Sequence, residues 1–242
     1  EDRTRTFIIA MERTVVPENF SFRMTDEEYR VLEKIKNSIP VCYLADHADF
    51  ALGIVTGNNK KFLSAEKTEH SEMVLKGTDI CKYHINPVKQ YLRFEPEQFQ
   101  QVAPLEIYRA PEKLLYRFIS NQLVVAYDDR QMLSLNSCNI VIPKIDGMQI
   151  KYILAILNSS VSQFVYQKEF HSIKVLRAHM EHIPIPRVGK AIQNEIIAMT
   201  EPLICGMGKE AAETCQKRLD CRIMDLFRLS AEEQWVIRHA LH

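Results

Sequence analysis

Apolar positions near the start of the chain have the spacing of a helix. Thr25 and Glu28 form the pattern of a capping box, in which a Thr side chain and a Glu three residues later satisfy backbone N–H groups at a helix start. Tyr29, Leu32 and Ile35 continue the helical spacing, and Pro40 ends it. The pattern predicts one helix before residue 41.

Residues 41–143 carry short apolar runs separated by polar turns, which is typical of strands. The runs are 50–55, 73–75, 114–119, 123–127 and 138–142, and the turn clusters between them include 56–59 and 128–131. Several short strands joined by polar turns predict an antiparallel or mixed sheet.

After residue 148 the apolar spacing returns to that of a helix, beginning with Ile150, Ile153, Leu154 and Leu157. The prolines of 183–186 require an extended segment. Helical patterns then cover 189–218, with a break or kink at Pro202, followed by 219–227 and 231–241. The sequence predicts an α+β fold with three parts: a linker and helix (1–40), a sheet-containing module with flanking helices (41–188) and a C-terminal helical segment (189–242).

Composition restricts the class of protein. Apolar residues make up 46% of the chain and charged residues 26%, as in ordinary soluble domains, and no apolar run is long enough to span a membrane. The six cysteines form no C-x-x-C pair, which indicates reduced thiols in a cytoplasmic protein. Lys and Arg together number 31, as do Asp and Glu, so a nucleic-acid partner would require the basic residues to lie on one face. Because the first residue is Glu1, we expect an excised part of a longer protein.

Motifs for catalysis are missing from the sequence. There is no glycine-rich phosphate loop and no G-x-S-x-G elbow, and the faint likeness at 206–209 lies inside a helical pattern. His179 and His182 lack a third metal ligand and favour a surface or phosphate-facing position. Asp128 and Asp129 are typical of solvated turn residues. We expect no cofactor, metal or catalytic residue in this chain. The alternative is an unrecognised hydrolase or nuclease site that uses Asp128, Asp129 and His171.

Small polar and basic residues gather where the predicted strands end, and these are the residue types that contact DNA. Asn58, Asn59, Arg109 and Arg130 are the candidates for base edges. The remaining candidates, mainly for phosphates, are Thr56, Lys60, Lys61, Lys76, Lys113, Lys174 and Arg177. For 56–61, an ordinary hairpin turn explains the sequence equally well.

Six segments in order give the chain a family likeness. They are 51–62 (ALGIVTGNNKKF), 75–80 (LKGTDI), 111–117 (PEKLLYR), 152–159 (YILAILNS), 182–186 (HIPIP) and 219–233. Together they resemble the TaqI-like target-recognition domains, which form the C-terminal halves of many bacterial adenine-N6 DNA methyltransferases and of fused restriction–methylation enzymes. The resemblance covers roughly residues 40–240.

The resemblance implies that the chain recognises a short site in double-stranded DNA and that catalysis takes place elsewhere. S-adenosylmethionine would bind a methyltransferase domain, in the same parent chain or in a separate subunit, with a nuclease fused in some relatives. The family's Asn/Asp-Pro-Pro-aromatic motif is absent, since Asn86-Pro87-Val88 lacks the second proline and the aromatic residue. A different function remains open: a protein-interaction subunit that docks through its C-terminal helices, with Trp235, Val236 and Leu241 as an apolar stripe.

Overall fold

Helices flank a strand-rich centre in the computed structural model, which describes residues 24–170 and 172–241. The helices are α1 (Asp26–Asn37), α2 (Asn59–Phe62), α3 (Leu105–Tyr108), α4 (Ile150–Asn158), α5 (Ser160–Phe170), α6 (Arg177–Glu181), α7 (Lys190–Ile204), α8 (Lys209–Leu226) and α9 (Ala231–Ala240). The strands are β1 (Val41–Cys42), β2 (Ala48–Ala51), β3 (Leu63–Ser64), β4 (Ser71–Leu75), β5 (Tyr91–Arg93), β6 (Lys113–Arg117), β7 (Val125–Asp128), β8 (Leu133–Ser134), β9 (Cys138–Pro143) and β10 (Ile185–Pro186). The predicted α+β fold is confirmed. The sequence also favours an extended segment at 7–9, which lies outside the described residues.

The strands form two four-stranded sheets and a small pair. The first sheet has the order β2-β9-β6-β7 and is antiparallel throughout. The second has the order β3-β5-β4-β8, in which β4 and β8 are parallel, while β1 pairs with β10. Both the antiparallel and the mixed arrangements that the sequence allowed are therefore present.

The first sheet is buried on both faces. Leu114 and Tyr116 of β6 belong to a hydrophobic cluster with the helices, whereas Leu115 between them belongs to a second cluster with the strands of the other sheet. Val141 and Ile140 of β9 divide between the clusters in the same way. Because successive side chains of a strand point to opposite faces, a sheet covered on both sides requires uninterrupted apolar runs.

Capping boxes begin the first and last described helices, as the sequence predicts. Thr25 accepts a hydrogen bond from the backbone of Glu28 at 3.1 Å, and the Glu28 side chain accepts one from Thr25 N. Ser230 and Glu233 repeat this arrangement at α9. The two helices pack together, with Lys34 Nζ 2.6 Å from Glu233 Oε2. The helix cluster thus includes residues from both ends of the described chain.

The C-terminal helices divide at a different point from the one predicted. Pro202 lies within α7, and the chain turns instead at Gly206, whose φ of 76° ends the helix. Pro202 is in the last turn, where few hydrogen bonds depend on it, while glycine adopts the left-handed conformation without steric cost. The predicted break at Pro202 is therefore wrong, as are the separate helix at 219–227, which is part of α8, and the helical placement of 206–208. None of the described helices has the length and apolar character needed to cross a bilayer.

Candidate nucleic-acid interface

The segment 56–61, which we call the asparagine turn, is held by hydrogen bonds among its own residues. The Thr56 hydroxyl donates to Asn59 Oδ1 at 2.6 Å and accepts from Asn58 N at 3.2 Å. Asn58 Oδ1 accepts from Lys61 N and thereby caps α2. Thr56 is 3% exposed, so its side chain shapes the turn, and the prediction that it contacts DNA is wrong. Asn58 and Asn59 are exposed, but their carbonyl oxygens hold the turn.

Lysine and arginine beside the asparagine turn also have partners within the protein. Lys61 Nζ donates to Gln98 Oε1 at 2.5 Å, and Arg93 pairs with Glu95 at 2.8 Å while lying over the Phe62 ring. Lys60 is exposed. Lys61 thereby fastens the turn to the segment after β5, so of the two lysines in the turn only Lys60 is left exposed without a described partner.

A groove lies beside the N-terminal end of β4. Arg109 forms one wall: its Nη2 lies 2.6 Å from Glu72 Oε2, and its Nη1 donates to the Gln131 carbonyl at 2.7 Å. Lys67 and the exposed Arg130 line the same groove, which has a volume of about 300 Å³. Arg109 thus has two protein partners, whereas Arg130 is available to a ligand.

Lys113 lies in the interior directly behind this groove. Its ammonium is 2.5 Å from Asp128 Oδ2 and donates to the Tyr108 carbonyl at 2.6 Å, and both charged side chains are fully buried. Burial lowers the pKa of Lys113, and the nearby carboxylate opposes that effect. The prediction that Lys113 binds a DNA phosphate is wrong. If its ammonium group moved away from Asp128, the buried carboxylate would be left without a partner.

Asp128 differs from the solvated turn residue that the sequence predicts. Besides its pair with Lys113, it accepts hydrogen bonds from the backbone N–H groups of Arg130 and Met132, both at 2.9 Å, and so fixes the turn after β7. Asp129 is exposed, as predicted. These contacts give Asp128 a structural role, which removes the main support for the alternative hydrolase site; His171 lies outside the described residues.

Residues 117–122 and 172–177 form a two-stranded projection, which we call the clasp. Ser120 N donates to the Ile173 carbonyl at 2.9 Å, and Val175 N donates to the Phe118 carbonyl at 2.8 Å. Its base is anchored by Arg117, which donates to the carbonyls of Gly77 and Ile80 at 2.9 and 2.6 Å. A side chain at Gly77 would place a Cβ 2.5 Å from the Ser137 carbonyl, so this close approach requires glycine.

The clasp presents several groups that have no partner elsewhere in the described chain. Lys76, beside it, and Lys174, within it, form no ion pair with a described residue, and Lys174 lies only against the Phe118 ring. Arg177 is exposed and pairs with Glu181 at 2.7 Å. The exposed side chains of Asn121 and Gln122 form no hydrogen bond with a described residue either. The sequence pattern did not single out either amide, although their position between two apolar runs was an available signal.

His179, beside the clasp, is buried, contrary to the predicted surface position. Its ring stacks on Phe170 with centroids 4.4 Å apart, and its Nδ1 accepts a hydrogen bond from Leu176 N at 3.2 Å. Burial lowers its pKa. His182 is exposed, as predicted. Within the described part of the chain, no three His, Cys, Asp or Glu residues gather as metal ligands.

The clasp, the buried ion pair and most of the groove fall within a stretch that matches a known family. Residues 72–185 match the TaqI-like C-terminal specificity domain. Over these residues the chain is similar to that family. The resemblance inferred from the sequence is therefore confirmed, and the domain contains Lys76, Arg109, Arg130, Lys174 and Arg177. The asparagine turn lies before it.

The fold resembles that of a solved restriction–modification enzyme. The type IIL restriction–modification enzyme MmeI, solved in complex with DNA, matches with a TM-score of 0.55 and 10% sequence identity, over 78% of this chain and 34% of that one. The type IIG restriction endonuclease BpuSI gives a TM-score of 0.48 at 12% identity, over 86% and 34% of the two chains. The HsdS subunit from Thermoanaerobacter tengcongensis gives 0.44 at 15% identity, over 89% and 50%. This chain therefore spans about a third of the MmeI chain. No curated protein sequence matches it.

Proposed function

We propose that this chain recognises a short sequence in duplex DNA, as the specificity domain of an adenine-N6 DNA methyltransferase or a fused restriction–modification enzyme. The observation that carries the proposal is the family match over 72–185, because that stretch also holds the basic groups left without partners. The fold shared with MmeI, which was solved with DNA bound, supports it.

The exposed groups divide by the part of DNA that they suit. Lys76, Lys174 and Lys60 would bind phosphates, which fix the position of the protein without selecting a sequence. Arg177 is a weaker candidate for a phosphate, because it pairs with Glu181. Arg130 suits guanine, and the amides of Asn121 and Gln122 suit adenine. Asn58, Asn59 and Arg109 are weaker candidates for base edges than the sequence indicated, because their polar atoms hold the turn and the groove wall.

Catalysis is assigned to a part of the parent protein outside this chain. The sequence carries neither a glycine-rich loop nor an Asn/Asp-Pro-Pro-aromatic motif, so its residues do not fit S-adenosylmethionine. We assign the cofactor to a methyltransferase domain, which would receive the target adenine after the base leaves the stack. This chain would contribute the contacts that hold the duplex in register.

Binding to duplex DNA at increasing salt tests the proposal. Fluorescence anisotropy with Lys174→Gln should show a logarithmic salt slope smaller by about one than that of the wild type, because one phosphate contact is lost. Lys61→Gln is the matched control: this lysine already binds Gln98, so the slope should not change. Equal slopes for both variants would contradict the assignment of Lys174, and no binding by the wild type at low salt would contradict the function.

The methyltransferase part of the proposal has its own test. We would express the complete gene that encodes this chain in cells lacking adenine methylation and map N6-methyladenine by sequencing. Methylation confined to one short motif, which shifts when Asn121 or Gln122 is substituted, is the expected result. An intact product that leaves the DNA unmethylated would contradict a methyltransferase parent.

One observation favours a second function, docking of a protein through the C-terminal helices. Trp235 is 55% exposed and lines a cavity of about 570 Å³ between α1 and α9, together with Val31 and Val236. Because Trp235 is the only tryptophan of the chain, its fluorescence reports on this cavity directly. Emission that shifts on addition of a separately produced methyltransferase subunit, with no DNA binding at any salt concentration, would favour the docking function.

A further inference from the structure

Two large apolar side chains project from the clasp into solvent. Ile119 is 61% exposed and Ile173 is 70% exposed, more than any other large apolar residue described. Ile119 pairs with Lys174 across the two segments of the clasp, and the Ser120 amide donates to the Ile173 carbonyl. Paired residues share a face, so Ile119 lies on the same face of the clasp as Lys174. Because successive side chains of a strand point to opposite faces, Ile173 lies on the other face. Its tip is therefore apolar on both faces.

The two segments of the clasp themselves carry only basic and neutral residues. Residues 117–122 and 172–177 include Arg117, Lys174 and Arg177 but no aspartate or glutamate, and Lys76 lies beside the base of the clasp. The exposed amides of Asn121 and Gln122 adjoin Ile119 in sequence. Duplex DNA has phosphates on the outside and a stack of apolar bases inside. The basic residues of the clasp suit the phosphates, and its apolar tip suits the stacked bases.

Hydrogen bonds to three neighbouring segments anchor the base of the clasp. Arg117 binds two carbonyls of the segment after β4, Phe118 N donates to the Ser137 carbonyl at 3.0 Å, and Leu123 N donates to Gln163 Oε1 of α5 at 2.8 Å. A projection that deforms DNA must itself resist deformation, because otherwise the energy of insertion would be lost in bending the protein.

We propose that the tip of the clasp is a wedge that enters a groove of duplex DNA, where Ile119 and Ile173 unstack one base step while Lys174 holds the adjacent phosphate. The proposal rests on the DNA-recognition function proposed above. Apolar wedges of this kind exchange base stacking for contact with protein and kink the duplex. Specificity then includes the ease with which a particular step opens, beyond the bases that the amides contact.

The test uses the whole chain and the duplex that it enriches from a random pool. 2-Aminopurine replaces each adenine in turn, since its fluorescence rises when it leaves the stack. With the wild type, fluorescence should rise at one step only. The double variant Ile119→Ser/Ile173→Ser should lose this rise and bind about tenfold more weakly, with its salt slope unchanged. Lys174→Gln should keep the rise and lose about one unit of slope.

Leu105→Ser is the matched control, because Leu105 is 46% exposed and lies outside the clasp; it should bind and unstack DNA as the wild type does. A wild type that enriches and binds a duplex but raises the fluorescence at no step would overturn the wedge and leave the DNA-recognition function standing. Failure to enrich any duplex would overturn both. A double variant that binds DNA normally, but sediments as a smaller species than the wild type, would assign the isoleucines to contact between copies of the chain instead.

Discussion

Basic residues lie near both ends of β4, but most of those near one end bind other groups of the protein and those near the other end do not. Near Ser71, Arg109 binds Glu72 and a carbonyl, Arg93 of the neighbouring strand binds Glu95, and Lys113 behind them binds Asp128 in the interior. Near Leu75, at the other end, Lys76 and Lys174 have no ion-pair partner in the described chain.

Residue type alone therefore does not identify a binding surface. A basic side chain is available to a ligand only where the fold brings no carboxylate or carbonyl within reach. At the first end, Arg109 and Lys113 therefore hold the protein together. At the second end, Lys76 and Lys174 have no such partner in the described chain and, under the proposed function, bind DNA. Breaking one end should cost stability, whereas breaking the other should cost recognition.

The largest effect is expected from Lys113→Met, because it leaves the Asp128 carboxylate buried without its partner. We expect the free energy of unfolding to fall by about 3–5 kcal/mol, measured by urea denaturation. Lys174→Gln, at the exposed end, should change it by less than about 0.5 kcal/mol.

A double variant separates the pairing of Lys113 from its packing. Lys113→Met/Asp128→Leu removes both charges and should recover much of the loss, although Asp128 also accepts two backbone hydrogen bonds that leucine cannot replace. If the single variant were as stable as the wild type, the contrast between interior and exposed charges would be wrong.

The second-largest effect is expected at the clasp, as a loss of discrimination between DNA sequences. Asn121→Ala or Gln122→Ala should cost about 1–3 kcal/mol at one base pair and leave the protein as stable as the wild type, since neither side chain has a described partner. Competition between duplexes that differ by single base pairs measures this loss. A uniform loss across all duplexes would instead indicate phosphate contact.

Asn58→Ala should show the reverse behaviour. Asn58 caps α2 through Lys61 N, so its removal should lower the free energy of unfolding by about 1 kcal/mol. The preference among duplexes should stay the same. A shifted preference with unchanged stability would make the asparagine turn a base-recognition element.

Acid should loosen the clasp by a smaller amount, through His179. Burial lowers the pKa of this histidine in the folded protein, so its contribution to stability is complete above its ordinary value of about 6.5 and is lost as the pH falls through the lowered pKa. Once protonated, Nδ1 cannot accept the hydrogen bond from Leu176 N. The protection of this amide against hydrogen exchange, corrected for the intrinsic effect of pH on exchange, should therefore be lower at pH 5.5 than at pH 7.5. His179→Phe should make the melting temperature less dependent on pH, and an unchanged dependence would contradict this role.

The sequence predicted local features of the fold well and long-range ones poorly. Capping boxes at Thr25 and Ser230 depend on residues three apart, and the apolar runs of β6 and β9 depend on burial of both sheet faces, so both are visible in the chain. The end of α7 was missed because proline in the last turn of a helix disturbs little, while Gly206 alone permits the turn.

The candidate site was harder to predict, since availability depends on residues far apart in sequence. Lys113 was assigned to a phosphate because nothing near it in the chain shows that Asp128, fifteen residues later, lies within 2.5 Å. Asn121 and Gln122 were missed for the converse reason: a pair of amides in a turn is common, and only the pairing of the clasp segments shows that they project.

The most direct test of the central claim, that this chain recognises a DNA sequence, is selection of duplexes from a random pool followed by sequencing. We expect the chain to enrich one short motif. Asn121→Ala or Gln122→Ala should relax one position of this motif, and Asn58→Ala should leave it intact. Retention of duplexes at low salt without any enriched motif would contradict the claim.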